Sequence, residues 1–546
     1  MKVAALDLKT EVGADNLCAN LEAGIEGAIH AMCSEYEKAE EESGVLLVDA
    51  ANAFNALNRK GALYHARHLW PAAAKYLFNT YKGWAPLYLA DSKTQFFSKE
   101  GTTQGDPMSM AFYAIGVLPL IRAVKKEESI KDIIQMWYAD DSSAGDRIPK
   151  LIKWLEFLIN KGPQYGYFPE PSKSIFVVHP KDVEKTQQQL NDALKENERP
   201  KIRTDHRFLG GNLGNAHANY KYIQGKVDEC VTLINQLAKI AHNHPQEAYT
   251  AITKSVQCQW QYVQRTVQGC GPWFAPIENA INDIFLPSLL KTTHISPQMR
   301  SLYALPVRFG VLGIPQPTNT ADDSFKTSQN ATQHLVDAIR QSSSFSLKMH
   351  QESMKNAKTE YKKEKDEKQE KELKALLPTI KEKQEKAIKR AVDHKTGAWL
   401  TAFPTARNGN TLSADEWRDG IAFRYGYEPK GLQPRCDGCG EAFDAEHGLK
   451  CRKGGLIIRR HNEVTRELQR ISEMNYPGTV LEPVIRRGNS SLPEGDPERE
   501  GLIGDLLVRG GVHTPQTDVI IDVQVINLDT ASRVKRLRKK REARRK

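Results

Sequence analysis

The stretch "MWYADDSSAG", residues 136–145, sets Asp140 and Asp141 side by side directly after Trp137, Tyr138 and Ala139. Adjacent carboxylates repel each other, and aromatic neighbours imply little water around them. A divalent cation would stabilise such a pair, because hard cations take carboxylate oxygens. The wider stretch "IIQMWYADDSSAG" reads as strand, tight turn and second strand, which puts both acids at a hairpin tip.

Transfer of a nucleotidyl group with two metal ions needs a further carboxylate from a neighbouring strand end. "LLVDAANAFN" (46–55) offers Asp49 at the end of an apolar, strand-like run, with the aromatic Phe54 just beyond. Between the two acidic sites lies "EGTTQGDPMSM" (100–110), whose Gly-Asp-Pro turn predicts the opening of a helix. Such a turn would press backbone and Gln104 against a base pair.

These pieces, taken in order, resemble the reverse-transcriptase motifs A to E: VDAANAF, QGDPMSM, YADD, "GYFPEPSKS" (166–174) and "RFLGGNLG" (207–214). The resemblance implies a right-hand polymerase palm, an antiparallel sheet with helices. It implies that Asp49, Asp140 and Asp141 bind Mg²⁺ (or Mn²⁺), and that Phe54 stands where an aromatic excludes a ribose 2′-hydroxyl. Gln104 and Gly105 would line the nucleotide and template, Lys173 would lie near the incoming phosphates, and "FLGG" would form the primer grip. Related RNA-templated RNA polymerases usually carry Gly before the Asp pair and a second Asp at the position of Phe54. Ala139 and Phe54 therefore favour DNA synthesis. Fewer than 50 residues precede Asp49, where that family carries its fingers region, so the expectation is an N-terminally truncated chain with partial fingers.

A second constellation is "CDGCGEAFDAEHGLKC" (436–451), with Cys436, Cys439, His447 and Cys451 in C-x2-C-x7-H-x3-C spacing. Four N or S donors of this kind suit tetrahedral Zn²⁺, and a CxxC turn places two thiolates on one ion. Contact with nucleic acid and simple stapling of a small segment both fit this site. His461 is a spare ligand candidate that belongs better to the unit after it.

A third lies in "GLIGDLLVRGGVHTPQTDVIIDVQVIN" (501–527). It predicts Asp505 on one apolar strand and Asp522 on the next, with Gln524 sharing the face of Asp522 by strand alternation. Restriction-type nucleases use an Asp, a gap, and then an acid-x-Lys; here Gln524 stands in the Lys position. "RRHNEVTREL" (459–468) and Glu482 are further candidates for this site. Palm, CCHC knuckle and restriction-like endonuclease, in this order, resemble one branch of non-LTR retrotransposon proteins. "GAWLTAFP", "FRYGY", "CRKGG" and "RHNEV" are similar to repeat-encoded reading frames of that kind. The resemblance implies RNA template, DNA primer or target and deoxynucleoside triphosphates as partners. It also admits a truncated, non-catalytic nucleic-acid-binding relic of such an element.

The 546 residues suggest about three or four domains. The divisions read as palm with partial fingers (1–215), helical thumb (216–320) and charged helical connector (321–398). A zinc-knuckle segment (399–460) and a small α/β restriction-endonuclease-like remnant with a basic tail (461–546) follow, an α+β chain as a whole. The connector's mixed Lys and Glu favour i,i+4 pairs on a solvated helix broken near Pro378. Net charge is +10, and residues 533–546 hold ten Lys or Arg and one Glu. That tail attracts polyanions, and reads equally as a nuclear-import signal or a solvated helix. No run approaches the roughly 20 apolar residues of a membrane span. Five cysteines are scattered and three cluster, which fits a reducing compartment with a metal site. An intracellular, nuclear protein with no membrane partner is expected.

Overall fold

The computed structural model describes residues 2–19, 21–38, 42–88, 94–393, 396–488, 490–491, 493–494, 500–510 and 517–525. The expectation attached to the basic tail, 533–546, lies outside the described residues. Two compact units divide between Trp417 and Arg418.

The first unit carries nine strands: β1 (Ser43–Val48), β2 (Ala85–Tyr88), β3 (Gln95–Ser98), β4 (Ile134–Tyr138), β5 (Asp141–Arg147), β6 (Ile175–Val178), β7 (Lys201–Arg203), β8 (His206–Phe208) and β9 (Gly211–Leu213). Five form one sheet in the order β4-β5-β1-β6-β7. β1 runs antiparallel to both β5 and β6, so the apolar run "GVLLV" occupies the middle. Both of its faces are covered, which is why it reads as a continuous apolar run rather than an alternation. Leu46 and Val48 join a core that includes Phe112, Leu120, Trp154 and Leu158. Val45 faces the opposite core with Met32, Met136 and Leu335. The sheet departs from the expected antiparallel pattern at one edge, where β7 pairs parallel to β6. Parallel neighbours need a crossover, and the helix Val183–Ala193 supplies it.

The helix Ser109–Val124 is apolar on every side and is buried as such. On the other face, the helix Gly24–Glu37 packs against the long helix Pro317–Ile339. A Cβ on Gly27 would come within 2.6 Å of Leu335 Cδ2, so glycine is what lets these two helices close. Leu335, Val336 and Ile339 belong to the same core as β1's Val45. The start of the segment read as a connector thus packs in the same core as the central sheet. Its charged continuation, Leu347–Leu376, is one helix that breaks at Leu377–Thr379 before a second, Glu382–Asp393. That is the break expected near Pro378. The segment expected to be helical from residue 216 opens with the helix Ala216–Asn243, burying Ile223, Val227, Cys230, Ile234, Ala238 and Ala241 at helical spacing.

The second unit contains the helices Ala445–Lys450 and Leu456–Glu473. Its strands are β10 (Val480–Leu481), β11 (Val484–Arg486), β12 (Leu502–Ile503), β13 (Leu506–Val508) and β14 (Val519–Ile521). They pair as β10-β13-β14 and β11-β12. Two corrections follow. Asp505 does not lie on a strand but in the bend between β12 and β13, because Gly504 turns there and its N–H bonds Pro483 O at 3.0 Å. Asp522 and Gln524 do not share a strand face, because β14 ends at Ile521. The Val523 N–H that would continue a ladder is instead bonded to the Asp505 carboxylate at 2.5 Å. Among the described residues no helix is long and apolar enough to cross a membrane.

Candidate functional site

The β1–β5 register pairs Val48 with Ser142. One step further along the same pairing, Asp49 comes level with Asp141. The β4–β5 hairpin pairs Tyr138 with Asp141, leaving Ala139 and Asp140 as a two-residue turn. The three expected carboxylates therefore meet at one end of the central sheet. Ala139 adopts φ +56°, a left-handed conformation that costs an L-residue free energy. The turn is held from outside. Leu17 N–H donates to Trp137 O at 2.8 Å, and Ala139 N–H donates to the Asn16 side-chain oxygen at 3.3 Å. Asn16 is fully buried and also accepts from Cys18 N–H at 3.2 Å. Below the turn, Tyr167 and Ser142 hydroxyls bond at 2.7 Å, and Tyr167 donates to Asp140 O at 3.4 Å.

The electrostatics follow from this crowding. Partial burial, then the charges of Asp140 and Asp49, push the Asp141 carboxyl up to about 6. Burial and Asp49 raise Asp140 as well. Burial is the larger cause, and the charges of the neighbouring acids add to it. Carboxylate oxygens are the donors that Mg²⁺ or Mn²⁺ takes, although among the described residues the donor atoms already gathered for a metal are those of Cys436, Cys439, His447 and Cys451. Asp141 remains reachable by solvent, as ion entry requires. The nearest protein cation is Lys173, whose Nζ lies 4.0 Å from Asp49 Oδ2 with the side chain 64% exposed.

Phe54 is half-buried and stacks on Tyr113, ring centroids 4.6 Å apart. Tyr113 is fully buried and its hydroxyl has no hydrogen-bond partner, so the ring under Phe54 acts as an apolar floor. Gln104 and Gly105 form an exposed turn, with Gly105 at φ +94°. That φ, rather than crowding, is what asks for glycine, since nothing lies within 4 Å of a Cβ there. Asp106 is occupied structurally. It accepts from Met108 N–H at 2.8 Å and from the Tyr81 hydroxyl, anchoring the start of the Ser109 helix. The "FLGG" segment is the β8–β9 hairpin, whose turn residues Leu209 and Gly210 both have positive φ. Two tyrosine hydroxyls hold it, Tyr262 to Leu209 O and Tyr222 to Gly210 O, each at 2.7 Å.

The sequence reading missed Asn16, Tyr113 and Tyr167. Local pattern carries no sign of them, because Asn16 bonds Ala139 across 123 residues.

In the second unit, Cys436, Cys439, His447 and Cys451 converge, with all four donor atoms within 4.8 Å of one another. Cys436 and Cys439 Sγ each lie 3.8 Å from Cys451 Sγ. A tetrahedron with Zn–S of about 2.3 Å has S–S edges of roughly 3.8 Å, so the geometry fits zinc. Backbone N–H groups of Cys439 and Gly438 pull the Cys436 thiol down to about 6, favouring the thiolate that binds metal. The helix Ala445–Lys450 delivers His447, with Asp444 accepting from its N–H at 2.6 Å.

Asp505 lies against the helix Leu456–Glu473. His461 Nε2 lies 3.3 Å from Asp505 Oδ2. The Val523 N–H, then His461 and Asp522, hold Asp505 below the usual carboxylate range. Asp522 and Gln524 are exposed.

No family model matches the chain, and no curated protein does. Among solved structures it resembles apo telomerase from Candida tropicalis at 10% identity and a TM-score of 0.32, over 62% of this chain and 58% of that one. It also resembles telomerase from Candida albicans in complex with a fragment of telomeric RNA. That match has 9% identity and a TM-score of 0.27, over 65% of this chain and 56% of that one. The chain spans less than two thirds of either neighbour.

Proposed function

We propose that the chain is the RNA-directed DNA polymerase of a non-LTR retroelement, a nucleotidyltransferase acting in target-primed reverse transcription. The observation that carries this reading is the β1–β5 register, which sets Asp49 level with Asp141 beside Asp140 in a mutually repelling, partly buried cluster. Asp49, Asp140 and Asp141 would hold two Mg²⁺ (or Mn²⁺) ions. When bound, these lower the pKa of the primer 3′-hydroxyl and stabilise the leaving pyrophosphate. The chain's own residues do the positioning. Phe54, fixed on Tyr113, offers a rigid ring where a 2′-hydroxyl would need space. Lys173, beside Asp49, is free to meet a phosphate. Gln104 and Gly105 present an open backbone turn to template and nucleotide. The β8–β9 turn, clamped by Tyr222 and Tyr262, supports the primer end.

The Cys436, Cys439, His447, Cys451 cluster would hold Zn²⁺ and order a segment too small for its own core. Asp505 and Asp522, with Gln524 beside them, would form the remnant of the nicking site. A nuclear location follows from work on chromosomal DNA.

The test is primer extension on an RNA template with Mg²⁺ and deoxynucleotides, comparing the chain with Asp140→Asn/Asp141→Asn. Extension that disappears in the variant supports the polymerase. No extension from either, with RNA binding retained, would favour the non-catalytic relic instead. Phe54→Val should admit ribonucleotides, and unchanged sugar discrimination would remove Phe54 from the gate.

A further inference from the structure

Residues 51–90 contain no Asp or Glu, although the chain's average would place about five in such a span. The same span holds Arg59, Lys60, Arg67, Lys75 and Lys82. Arg59 is buried and spent on structure. Its guanidinium donates to the carbonyls of Ser98, Glu100 and Gly101, tying the β2–β3 hairpin to the chain just after Phe54. The other four cations are exposed.

So are the rings among them. Trp84 is 62% exposed and Tyr88 74%, and Phe78, Phe96 and Phe97 are also exposed. An aromatic hairpin open on both faces has a large unpaid solvation cost unless something covers it. The strand pairing puts Pro86 opposite Phe97 and Tyr88 opposite Gln95. Pro86, Tyr88 and Phe97 thus share one face, and Trp84 lies against Phe97 with ring centroids 6.3 Å apart. Cations sit directly on the rings, Lys99 Nζ 4.3 Å from Trp84 and Lys82 Nζ 5.7 Å from Phe78. Glu100, next to Lys99, is engaged by the Arg59 backbone N–H at 2.9 Å, and Asp106 by the Tyr81 hydroxyl.

A protein partner is the weaker match, because lysine is depleted at the centres of protein interfaces. Flat rings interleaved with lysines, along a stretch of sequence (51–90) without carboxylates, suit a polyanion with stackable faces. We propose that this surface docks a single strand of nucleic acid, with unpaired bases on Trp84, Tyr88 and Phe97 and phosphates at Lys82 and Lys99. Duplex is disfavoured because its bases are already stacked. The surface is continuous with the candidate site, since Gly101 N–H bonds Leu57 O at 2.9 Å and Thr102 N–H bonds Phe54 O at 2.6 Å. Calling the docked strand the template rests on the polymerase reading; the binding itself does not.

Trp84 makes the test direct, since the other seven tryptophans are buried or half-buried. Acrylamide quenching of the full chain is followed while a twelve-nucleotide oligouridylate, an oligodeoxythymidylate or an RNA duplex of equal length is added without Mg²⁺. Protection of the quenchable fluorescence by either single strand, and not by duplex, supports the proposal. By anisotropy, Trp84→Ala/Phe97→Ala should weaken single-strand binding about tenfold. Lys82→Gln/Lys99→Gln should flatten its dependence on log salt by about one to two. Trp84→Phe should keep the affinity while losing the signal, and circular dichroism checks that each variant folds. Unchanged affinity in the double-alanine variant overturns the proposal. So does equal protection by duplex, or burial of Trp84 by self-association at the same protein concentration. Primer extension on the same proteins separates the two readings. Ring-dependent binding without extension leaves docking standing and sinks the polymerase, while extension with ring-independent binding does the reverse.

Discussion

At the β4–β5 tip, partial burial and mutual repulsion lift Asp140 and Asp141 above the ordinary carboxylate range. Beside His461, the Val523 N–H and the imidazole hold Asp505 below it. Both sets are pairs of acids near short strands, and both resemble metal sites in sequence. The first set is unsatisfied by protein alone, because three carboxylates share one strand end with one lysine at 4.0 Å. In the second, Asp505 Oδ2 already faces an amide and a histidine. Acid pairs alone therefore do not mark a cation site; the groups that already face them have to be read as well.

The largest effect expected from this difference is on chemistry. Asp140→Asn/Asp141→Asn should lower primer extension by about 10³-fold or more, several kcal/mol of transition-state stabilisation. The same variant should melt higher than the unsubstituted chain in metal-free buffer, since it removes repulsion. Scanning calorimetry with and without Mg²⁺ reads both halves. A variant that melts lower in metal-free buffer would mean the acids are satisfied after all.

Next in size is the clamp on the turn. Asn16→Ala leaves the N–H groups of Ala139 and Cys18 without their acceptor inside the protein, costing about 2 kcal/mol. Denaturant unfolding would measure it, and the strained Ala139 turn should relax with a loss of extension. Full activity in Asn16→Ala would show that β4–β5 pairing alone holds the acids in place.

What the sequence made legible divides along the same line. The β4–β5 hairpin could be read because its turn and strands lie within fourteen residues, 134–147, and Asp49 because it ends an apolar run. Asn16, Tyr113 and Tyr167 could not, since each acts on the site through contacts that only tertiary folding creates. The helix Pro317–Ile339 was hidden differently. Its apolar positions sit beside a Lys- and Glu-rich stretch, which draws the whole region toward a solvated connector, while Leu335 and Ile339 are in the core. In the second unit the strands are two or three residues long. Period-2 alternation has too few residues there to say which way Asp505 or Asp522 points. The cysteine spacing was legible throughout, because ligand geometry is written in the intervals themselves.

The pH dependence should expose the contrast more finely. Asp141 has a raised pKa, so the folded state binds its proton more tightly than the unfolded state does. Its contribution to stability is present below about pH 4 and is lost as pH rises through about 6. Mg²⁺ at neutral pH should restore what the lost proton removed, about 1 kcal/mol once solvent exposure is allowed for. His30 works in the opposite sense. Burial beside Ser328 pushes it down to about 4, so its contribution is lost as pH falls below about 6.5. The difference in melting temperature between the chain and Asp140→Asn/Asp141→Asn, followed from pH 7 to pH 5, cancels His30 and isolates the acids. A flat difference would remove the repulsion argument.

The smallest effect belongs to the second set of acids, and it is the one that could break the comparison. Asp505→Asn keeps an oxygen for the Val523 N–H and loses the charge that faces His461 and Asp522. Asp505 has a depressed pKa, so its contribution is present above the usual carboxylate range and lost as pH falls through it. The substitution should therefore destabilise this region at neutral pH by no more than about 1 kcal/mol, since the pair is partly exposed. Amide exchange over residues 500–510 should become slightly faster at pH 7, with the change fading toward pH 3. Slower exchange in Asp505→Asn would mean that Asp505 and Asp522 repel as Asp140 and Asp141 do. In that case the amide and imidazole do not suffice, and the second cluster also calls for a cation.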